Sequence, residues 1–277
     1  MPVRVVESKD NPRLKELRKA LAHPGRGAQG RVGIEGPHLL EEALRAGLRV
    51  ATAFVAQGAG SLLDALPLPP ETEILHLPRH LLESALATET PQPVAALVEP
   101  PSWSWENILR SGHRKPLILL LAGLQDPGNL GTILRSAEAF GATGAVSLPG
   151  TVSAWNPKAV RASAGSVFRL PVLTVSERQC LEELRSAGVA TYATSVNDAQ
   201  PAESVDMTAP VAFIIGNEGS GVAEDLAAKA DSRITIPCPG PVESLNAAVA
   251  ASVLLYEAAR QRAAARIEPT AKREARR

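Results

Sequence analysis

The sequence predicts two α/β domains in tandem, the second an open, mostly parallel sheet with helices on both faces. Three observations carry that prediction. Strand-like and helix-like segments alternate along most of the 277 residues, the pattern of layered α/β architecture. The run Leu117–Leu121 is apolar without interruption, as expected of a strand buried on both faces of a parallel sheet. Between the halves, Glu99-Pro-Pro-Ser-Trp-Ser-Trp and Ser111-Gly-His-Arg-Lys-Pro bracket a short amphipathic piece, a mixture of Pro, Gly and polar residues that suits a domain boundary. The expected division is a first domain over 1–99, a linker over 100–116, a second domain over 117–267 and a basic disordered tail over 268–277.

In the first domain, Asn11-Pro12 opens an amphipathic helix with Leu14, Leu17 and Leu21 on one stripe. A Gly-rich break leads to a short strand over 31–36, a helix over 37–46 ended by Gly47, and a strand over 50–55. A short helix over 61–65, a strand over 73–77, a helix over 78–87 and a strand over 94–98 complete a small α/β domain. Trp103 and Trp105, beside the boundary, are expected to pack on one of the two domains.

In the second domain the strand at 117–121 is followed by a helix over 130–140, a strand over 145–148 and a helix over 157–168. A helix over 177–187 and strands over 190–194 and 211–215 come next. A helix over 222–230, a strand over 233–236 and a long final helix over 245–262 close the pattern.

Composition excludes several classes. No apolar run approaches the roughly 20 residues that span a bilayer, and the charged N-terminus lacks the apolar core of a secretion signal, so no membrane partner is expected. Cys180 and Cys238, the only two cysteines, lack metal-ligand spacing. Neither a disulfide framework nor a metal site is expected, and the compartment expected is the cytoplasm. Net charge is zero, yet Arg4, Lys9, Arg13, Lys15, Arg18, Lys19, Arg26 and Arg31 crowd the first stretch. Arg260, Arg262, Arg266, Lys272, Arg273, Arg276 and Arg277 crowd the last. Such clusters suit a phosphate backbone, although charge alone favours a solvated helix face and a frayed tail.

Three loops follow predicted strands, where open α/β sheets bind ligands. The first, Asp126-Pro-Gly-Asn129-Leu-Gly-Thr-Ile-Leu-Arg135, places an amide beside a helix N-terminus and an arginine about one turn further on. The second, Gly216-Asn217-Glu218-Gly219-Ser220-Gly221, sets one acid among three glycines that let backbone approach a ligand. The third, Ile236-Pro-Cys-Pro-Gly-Pro-Val-Glu-Ser244-Leu245-Asn246, is stiffened by prolines and delivers Ser244, an ordinary N-cap by itself, and Asn246 to an Ala-rich helix. None of the three is a dinucleotide fingerprint or a Walker loop: the glycine spacing is wrong, and no Gly-Lys-Ser/Thr ending occurs.

In order and spacing these three loops resemble the signature motifs of the SpoU, or TrmH-like, branch of the SPOUT RNA methyltransferases, over about residues 117–262. Upstream, Asp10-Asn-Pro-Arg-Leu-Lys and Ile34-Glu-Gly-Pro-His-Leu-Leu-Glu-Glu-Ala-Leu resemble the substrate-binding domain found ahead of many members, akin to ribosomal protein L30e. The resemblance implies a deep trefoil knot, which chain topology otherwise avoids, and a homodimer through the catalytic domain with the final helix at the interface. It implies S-adenosylmethionine as cofactor, lined by Thr194, Gly216, Ile236 and Leu245. The activity implied is methylation of a ribose 2′-hydroxyl. Arg135 would take the catalytic role, and Asn129, Glu218, Ser244 and Asn246 would position it, the ribose and the loops. One departure from the family pattern is Cys238-Pro-Gly-Pro-Val-Glu where members often show Met-x-Gly. The favoured substrate is large-subunit ribosomal RNA, with transfer RNA as the alternative and a non-catalytic RNA-binding or ribosome-assembly protein as a further one. A nucleotide-cofactor oxidoreductase would need the Gly-x-Gly-x-x-Gly turn that is missing.

Overall fold

The computed structural model describes residues 2–23, 30–86, 88–110, 112 and 114–274, with side chains as far as 265. Ala87, Ser111, His113, Arg26, Arg276 and Arg277, each named in an expectation above, lie outside the described residues. The chain forms two compact units. The first comprises 1–102 and 153–169, and the second comprises 103–152 and 170–277.

The first unit is built on a five-stranded sheet of β1 (Val3–Val5), β2 (Val32–Glu35), β3 (Val50–Ala56), β4 (Glu73–Leu77) and β5 (Val94–Val98), in the order β1-β4-β3-β5-β2. β1, β4 and β3 run parallel, and β5 runs antiparallel to both its neighbours. Helix α1 (Pro12–Ala22) starts at Asn11, whose side chain accepts hydrogen bonds from the amides of Arg13 and Leu14, the usual remedy for unpaired N–H groups at a helix start. Its Leu14, Leu17 and Leu21 stripe is buried as the periodicity predicts, in a core with Phe54, Leu75 and Leu97. A Cβ on Gly33 of β2 would lie 2.8 Å from Leu21 Cγ, so that glycine is what lets α1 lie close on the sheet. Helices α2 (Pro37–Arg45), α3 (Ser61–Asp64) and α4 (Arg79–Glu83) complete the N-terminal part. β1 escaped the sequence reading because three residues are too few to show a period.

The second unit is a seven-stranded sheet, parallel throughout. It contains β6 (Leu117–Leu121), β7 (Gly144–Ser147), β8 (Val172–Thr174), β9 (Ala190–Thr194), β10 (Gln200–Pro201), β11 (Val211–Ile215) and β12 (Ser232–Thr235), in the order β10-β12-β9-β11-β6-β7-β8. All five residues of β6 and of β11 are buried. Ile118, Leu120, Ala212 and Ile214 share a core with Ile108 of α5 (Trp105–Leu109), Leu184 of α8 (Glu177–Ser186) and Leu226 of α9 (Glu224–Ala227). Alternation turns Leu119 and Phe213 to the other face, where α6 (Pro127–Ala139) and α10 (Ala247–Glu274) pack on one another and α10 meets β11. Trp105 packs against the α5 side of this core. A Cβ on Gly144 would come within 2.6 Å of Ile108 Cγ1, so α5 is seated in this unit and is no free linker.

Several details differ from the sequence reading. The helix expected over 157–168 is two pieces, α7 (Pro157–Ala162) and a 3-10 turn at Ser166–Phe168. Left-handed backbone at Ala164 and Gly165 separates them, and both pieces belong to the first unit. β8 and β10 are too short to show as strands in the sequence. α9 is shorter than the expected 222–230 because the preceding turn closes through paired backbone bonds between Asn217 and Gly221, both 2.9 Å. α10 starts at Ala247, two residues later than expected, and runs on past 262 into the stretch read as tail. Two arginines counted toward a basic C-terminal cluster have partners within the chain. Arg260 pairs with Glu257 at 2.7 Å. Arg262 donates to the carbonyls of Lys115, Pro116, Met207 and Ala209 at 2.8–2.9 Å, fastening α10 beside the starts of β6 and β11.

Candidate active site

The site is assembled from loops at the carboxyl ends of adjacent strands. The chain steps from β6 outward to β7 and β8, then returns to the other side of β6 through β9 and β11, so the loop after β6 sits where the strand order reverses, a habitual ligand position. Gly123 turns out of β6 with φ +77°. Asp126 caps α6, its Oδ1 accepting from the Gly128 amide at 3.0 Å, and Pro127 fills the first helical position, where a missing N–H costs nothing. The loop after β7 braces this turn: the Gln125 amide group donates to Gly150 O at 2.6 Å, and the Gly123 amide donates to Thr151 Oγ1 at 3.0 Å.

The glycine-rich turn after β11 grips the same loop with two side chains. Asn217 Nδ2 donates to Gly123 O at 2.9 Å, while its Oδ1 accepts from the amides of Gly219 and Ser220. Glu218 reaches across to accept from the amides of Gln125 (3.1 Å) and Asp126 (3.0 Å) and from Asn129 Nδ2 (3.1 Å). Partial burial raises the carboxyl pKa of Glu218, but these three donors together outweigh it and hold the group below the usual carboxylate range. Gly216 admits no side chain, since a Cβ would lie 2.1 Å from the Gly221 carbonyl carbon.

The third loop joins through Asn246. Its Nδ2 donates to Asn129 Oδ1 at 3.1 Å, and its own Oδ1 accepts from the amides of Ala248 and Val249 at 2.9 and 3.3 Å. Asn246 is therefore the cap of α10. Ser244, which by itself reads as the N-cap, is exposed and lies outside the helix. The result is one hydrogen-bonded chain, Glu218–Asn129–Asn246–α10, through three segments far apart in sequence. It also settles the orientation of the Asn129 amide, which donates on one side and accepts on the other.

Arg135 lies on the exposed side of α6 and has no hydrogen-bond or ion-pair partner among the described residues. One residue on, Ser136 accepts from Ser252 of α10 at 2.7 Å. Beside it an open groove is lined by Thr132, Phe140, Val249, Val253 and Tyr256, and Val249, Val253 and Tyr256 are all exposed.

Of the four residues expected to line a cofactor, three stand at the ends of neighbouring strands. Thr194 ends β9, Gly216 follows β11, and Ile236 follows β12, with Thr194 opposite Ile234 in register. The Thr194 hydroxyl is already given to Ile214 O at 2.9 Å, which leaves its main chain and methyl for contact. Among the described residues, the main-chain groups of 236–245, Leu245 included, make no backbone–backbone hydrogen bonds. The Ile236 carbonyl accepts from Cys238 Sγ at 3.4 Å; the other main-chain groups of this segment, beside a side-chain-free Gly216, fit an adenosine, whose base edge needs donors and acceptors at close backbone approach. The sequence reading passed over Asn217, Gln125 and Thr151. An Asn just past a strand end and followed by Glu-Gly-Ser-Gly is the signal for Asn217, whereas the other two carry none.

The chain matches the family model described as SpoU rRNA Methylase family over residues 116–256, and the model described as MRM3-like substrate binding domain over 11–96. It is 35% identical over 253 residues to the 23S rRNA (guanosine(2553)-2′-O)-methyltransferase RlmP of Bacillus subtilis, covering 91% of this chain and 97% of that one. A crystal structure of an RNA 2′-O ribose methyltransferase superposes with TM-score 0.76 at 33% identity, covering 94% of this chain and 99% of the other. The SpoU methyltransferase AviRb of Streptomyces viridochromogenes, in complex with AdoMet, superposes with TM-score 0.80 at 30% identity, covering 91% and 98%.

Proposed function

Because the chain belongs to the SpoU rRNA methylase family, we propose that it methylates a ribose 2′-hydroxyl of 23S ribosomal RNA, with S-adenosylmethionine as methyl donor. The observation that carries the reading is the hydrogen-bonded chain from Glu218 through Asn129 to Asn246, which ties all three motif loops into one constellation at the start of the helix that bears Arg135. Residues 1–99 serve as the RNA-binding domain and 117–267 as the catalytic domain.

The donor supplies an electrophilic methyl on a sulfonium, and the remaining work belongs to the chain. Thr194, Gly216, Ile236 and Leu245 hold the adenosine through main chain and apolar contact. Arg135 grips the phosphate next to the target ribose and stabilises the oxygen as its proton departs. A guanidinium stays protonated in almost any setting, so Arg135 acts as an electrostatic clamp and the proton goes to phosphate or solvent. Glu218 and Asn129 fix the loop from which α6 springs, Asn246 fixes the start of α10, and exposed Ser244 is left to position the ribose. Alignment of this kind accounts for much of the rate in an in-line transfer.

The protein acts as a homodimer through α6 and α10. The groove bearing Val249, Val253 and Tyr256 supports this, and the family resemblance assigns Arg135 to the partner's site. The reading includes the deep trefoil knot of the family, with the segment after β12 threaded to reach Asn129, and a cytoplasmic location.

The test is transfer of labelled methyl from S-adenosylmethionine to unmodified 23S ribosomal RNA and, separately, to transfer RNA, followed by digestion to nucleosides. A 2′-O-methylnucleoside from ribosomal RNA, lost in Arg135→Ala, is the expected outcome. Label in transfer RNA alone would overturn the substrate, and label on a base would overturn the chemistry.

A further inference from the structure

The basic side chains of the first unit include two contrasting groups. Arg13, Arg31, Arg45, Arg49, Arg79 and Arg169 each sit on a glutamate at 3.2 Å or less. Their charge is cancelled locally, so a polyanion gains little from them. Lys9, Arg18 and Lys19 have no acidic partner among the described residues. The acid that Lys9 and Arg18 act on, Asp10, is taken by Lys15 at 2.8 Å. Its carboxyl is held below the usual range first by that hydrogen bond, with Lys9 and Arg18 adding to the effect, so several cations share a single carboxylate.

Arg18 is anchored and still charged. Its Nη1 donates to Lys9 O at 3.1 Å and its Nη2 to Ser84 Oγ at 3.0 Å. Both acceptors are neutral, so they fix the guanidinium plane and leave its charge uncompensated, with donors to spare. Lys15, Arg18 and Lys19 fall at i, i+3 and i+4 on α1, neighbouring positions on the helix; Lys15 and Lys19 are exposed, and Arg18, one turn on from buried Leu14, is half-buried. α1 carries none of the exposed large hydrophobic side chains, whereas protein interfaces draw their energy from buried apolar and aromatic anchors.

We propose that Lys9, Arg18 and Lys19 form the phosphate-binding face by which the first unit grips its substrate RNA. This deepens the functional reading above and rests on it. Contacts of this type place the RNA and carry no sequence information, so they act on binding and leave the chemical step alone.

The experiment uses the full chain with Lys9→Gln, Arg18→Gln and Lys19→Gln combined, and Arg79→Gln, whose partner is Glu83, as the control. Binding to unmodified 23S ribosomal RNA is titrated across salt, alongside S-adenosylmethionine affinity and kcat at saturating RNA. RNA affinity is expected to fall at least about tenfold, and the slope of log affinity against log salt to become shallower by about 2–3. kcat, cofactor affinity and thermal midpoint stay at wild-type values, and the control shifts RNA affinity by less than about twofold. Arg18→Lys alone separates charge from geometry: it keeps the salt slope and weakens affinity, because Lys cannot hold both acceptors in one plane. Unchanged affinity and slope in the triple variant would overturn the proposal, as would an equal loss in the control. So would intact RNA affinity with weakened binding to the ribosomal particle, which would assign the face to an acidic protein surface. Failure of the underlying reading looks different: the wild-type protein would then transfer no methyl to any RNA.

Discussion

Two glutamates perform the same mechanical task in the two units with opposite chemistry. Glu218 staples the loop after β6 to the turn after β11, and every donor it accepts from is an amide. Glu42, on α2, staples the returning segment 153–169 within the first unit, and its donors are the guanidinium groups of Arg169 at 2.7 Å and Arg45 at 3.0 Å. The Glu42 staple is close to electroneutral and belongs to a packed, structural contact, where Gly165 approaches so closely that a Cβ would lie 2.7 Å from Glu42 Cβ. The Glu218 staple keeps its negative charge and uses no arginine. On the proposed mechanism an arginine placed there would compete for the phosphate assigned to Arg135, so a loop held by amides leaves that cation to the substrate.

The sharpest way to break this comparison is to neutralise each staple in turn. Glu218→Gln swaps an acceptor for an amide that offers donors to the amides of Gln125 and Asp126. The loop carrying Asn129 shifts, and a misplacement of about 1 Å costs on the order of 10²-fold in turnover. The expected result is a loss of that size in kcat with the fold intact by circular dichroism. Glu42→Gln is expected to do the reverse. It leaves kcat within a few-fold and lowers stability by about 1 kcal/mol, a modest figure because both arginine partners are partly exposed. Denaturant melts and single-turnover transfer on both variants decide the matter, and equal kinetic losses would erase the distinction.

Next in size is the glycine that lets the Glu42 contact close. Gly165 has φ +85°, and an L-residue in that region pays roughly 1–2 kcal/mol before the clash with Glu42 is added. Gly165→Ala is expected to lower stability by at least that much and to expose 153–169 to limited proteolysis. Gly47, also left-handed at φ +74° with nothing within 4 Å of a built Cβ, is the control, expected to show the backbone cost alone.

The split between what the sequence disclosed and what it hid follows the range of each interaction. Periodicity disclosed β6, β11, α1 and α6, because burial on one or two faces writes itself into neighbouring residues. The site residues were legible as types at strand ends, and Asn129, Glu218 and Asn246 do come together. Their hydrogen bonds join residues 89 and 117 positions apart, a distance no local pattern encodes. The cap of α10 is the clearest case. Ser244 directly precedes the helix expected from residue 245, yet α10 starts at Ala247 and Asn246 takes the role, its other amide end held by Asn129. The departure of 153–169 from its sequence neighbours was hidden for the same reason, since Glu35, the partner of Arg161 at 4.0 Å, and Glu42, the partner of Arg169, lie more than 100 residues upstream.

The smallest expected effects, and the finest test of the comparison, come from pH and salt. Both carboxyls are held below their ordinary values. For Glu42 the hydrogen bond from Arg169 is the leading cause; for Glu218 burial works against the shift and the amide donors overcome it. A depressed folded-state pKa contributes stability that is complete above the unfolded carboxylate value, near 4.3, and is lost as pH falls through the folded value. Both staples should therefore hold at neutral pH and loosen only below about pH 4. Salt tells them apart. Added salt screens the Arg–Glu contact at partly exposed sites but acts weakly on short amide-to-carboxylate bonds. Hydrogen exchange at pH 7 is expected to quicken at 153–169 between low and high salt while exchange at the amides of Gln125 and Asp126 changes little. Lowering the pH, after correction for intrinsic exchange rates, should quicken both. If salt instead freed the Gln125 and Asp126 amides first, an unseen cation would be sharing Glu218, and Arg135 would be the first suspect, since it would then be spending its charge on the loop.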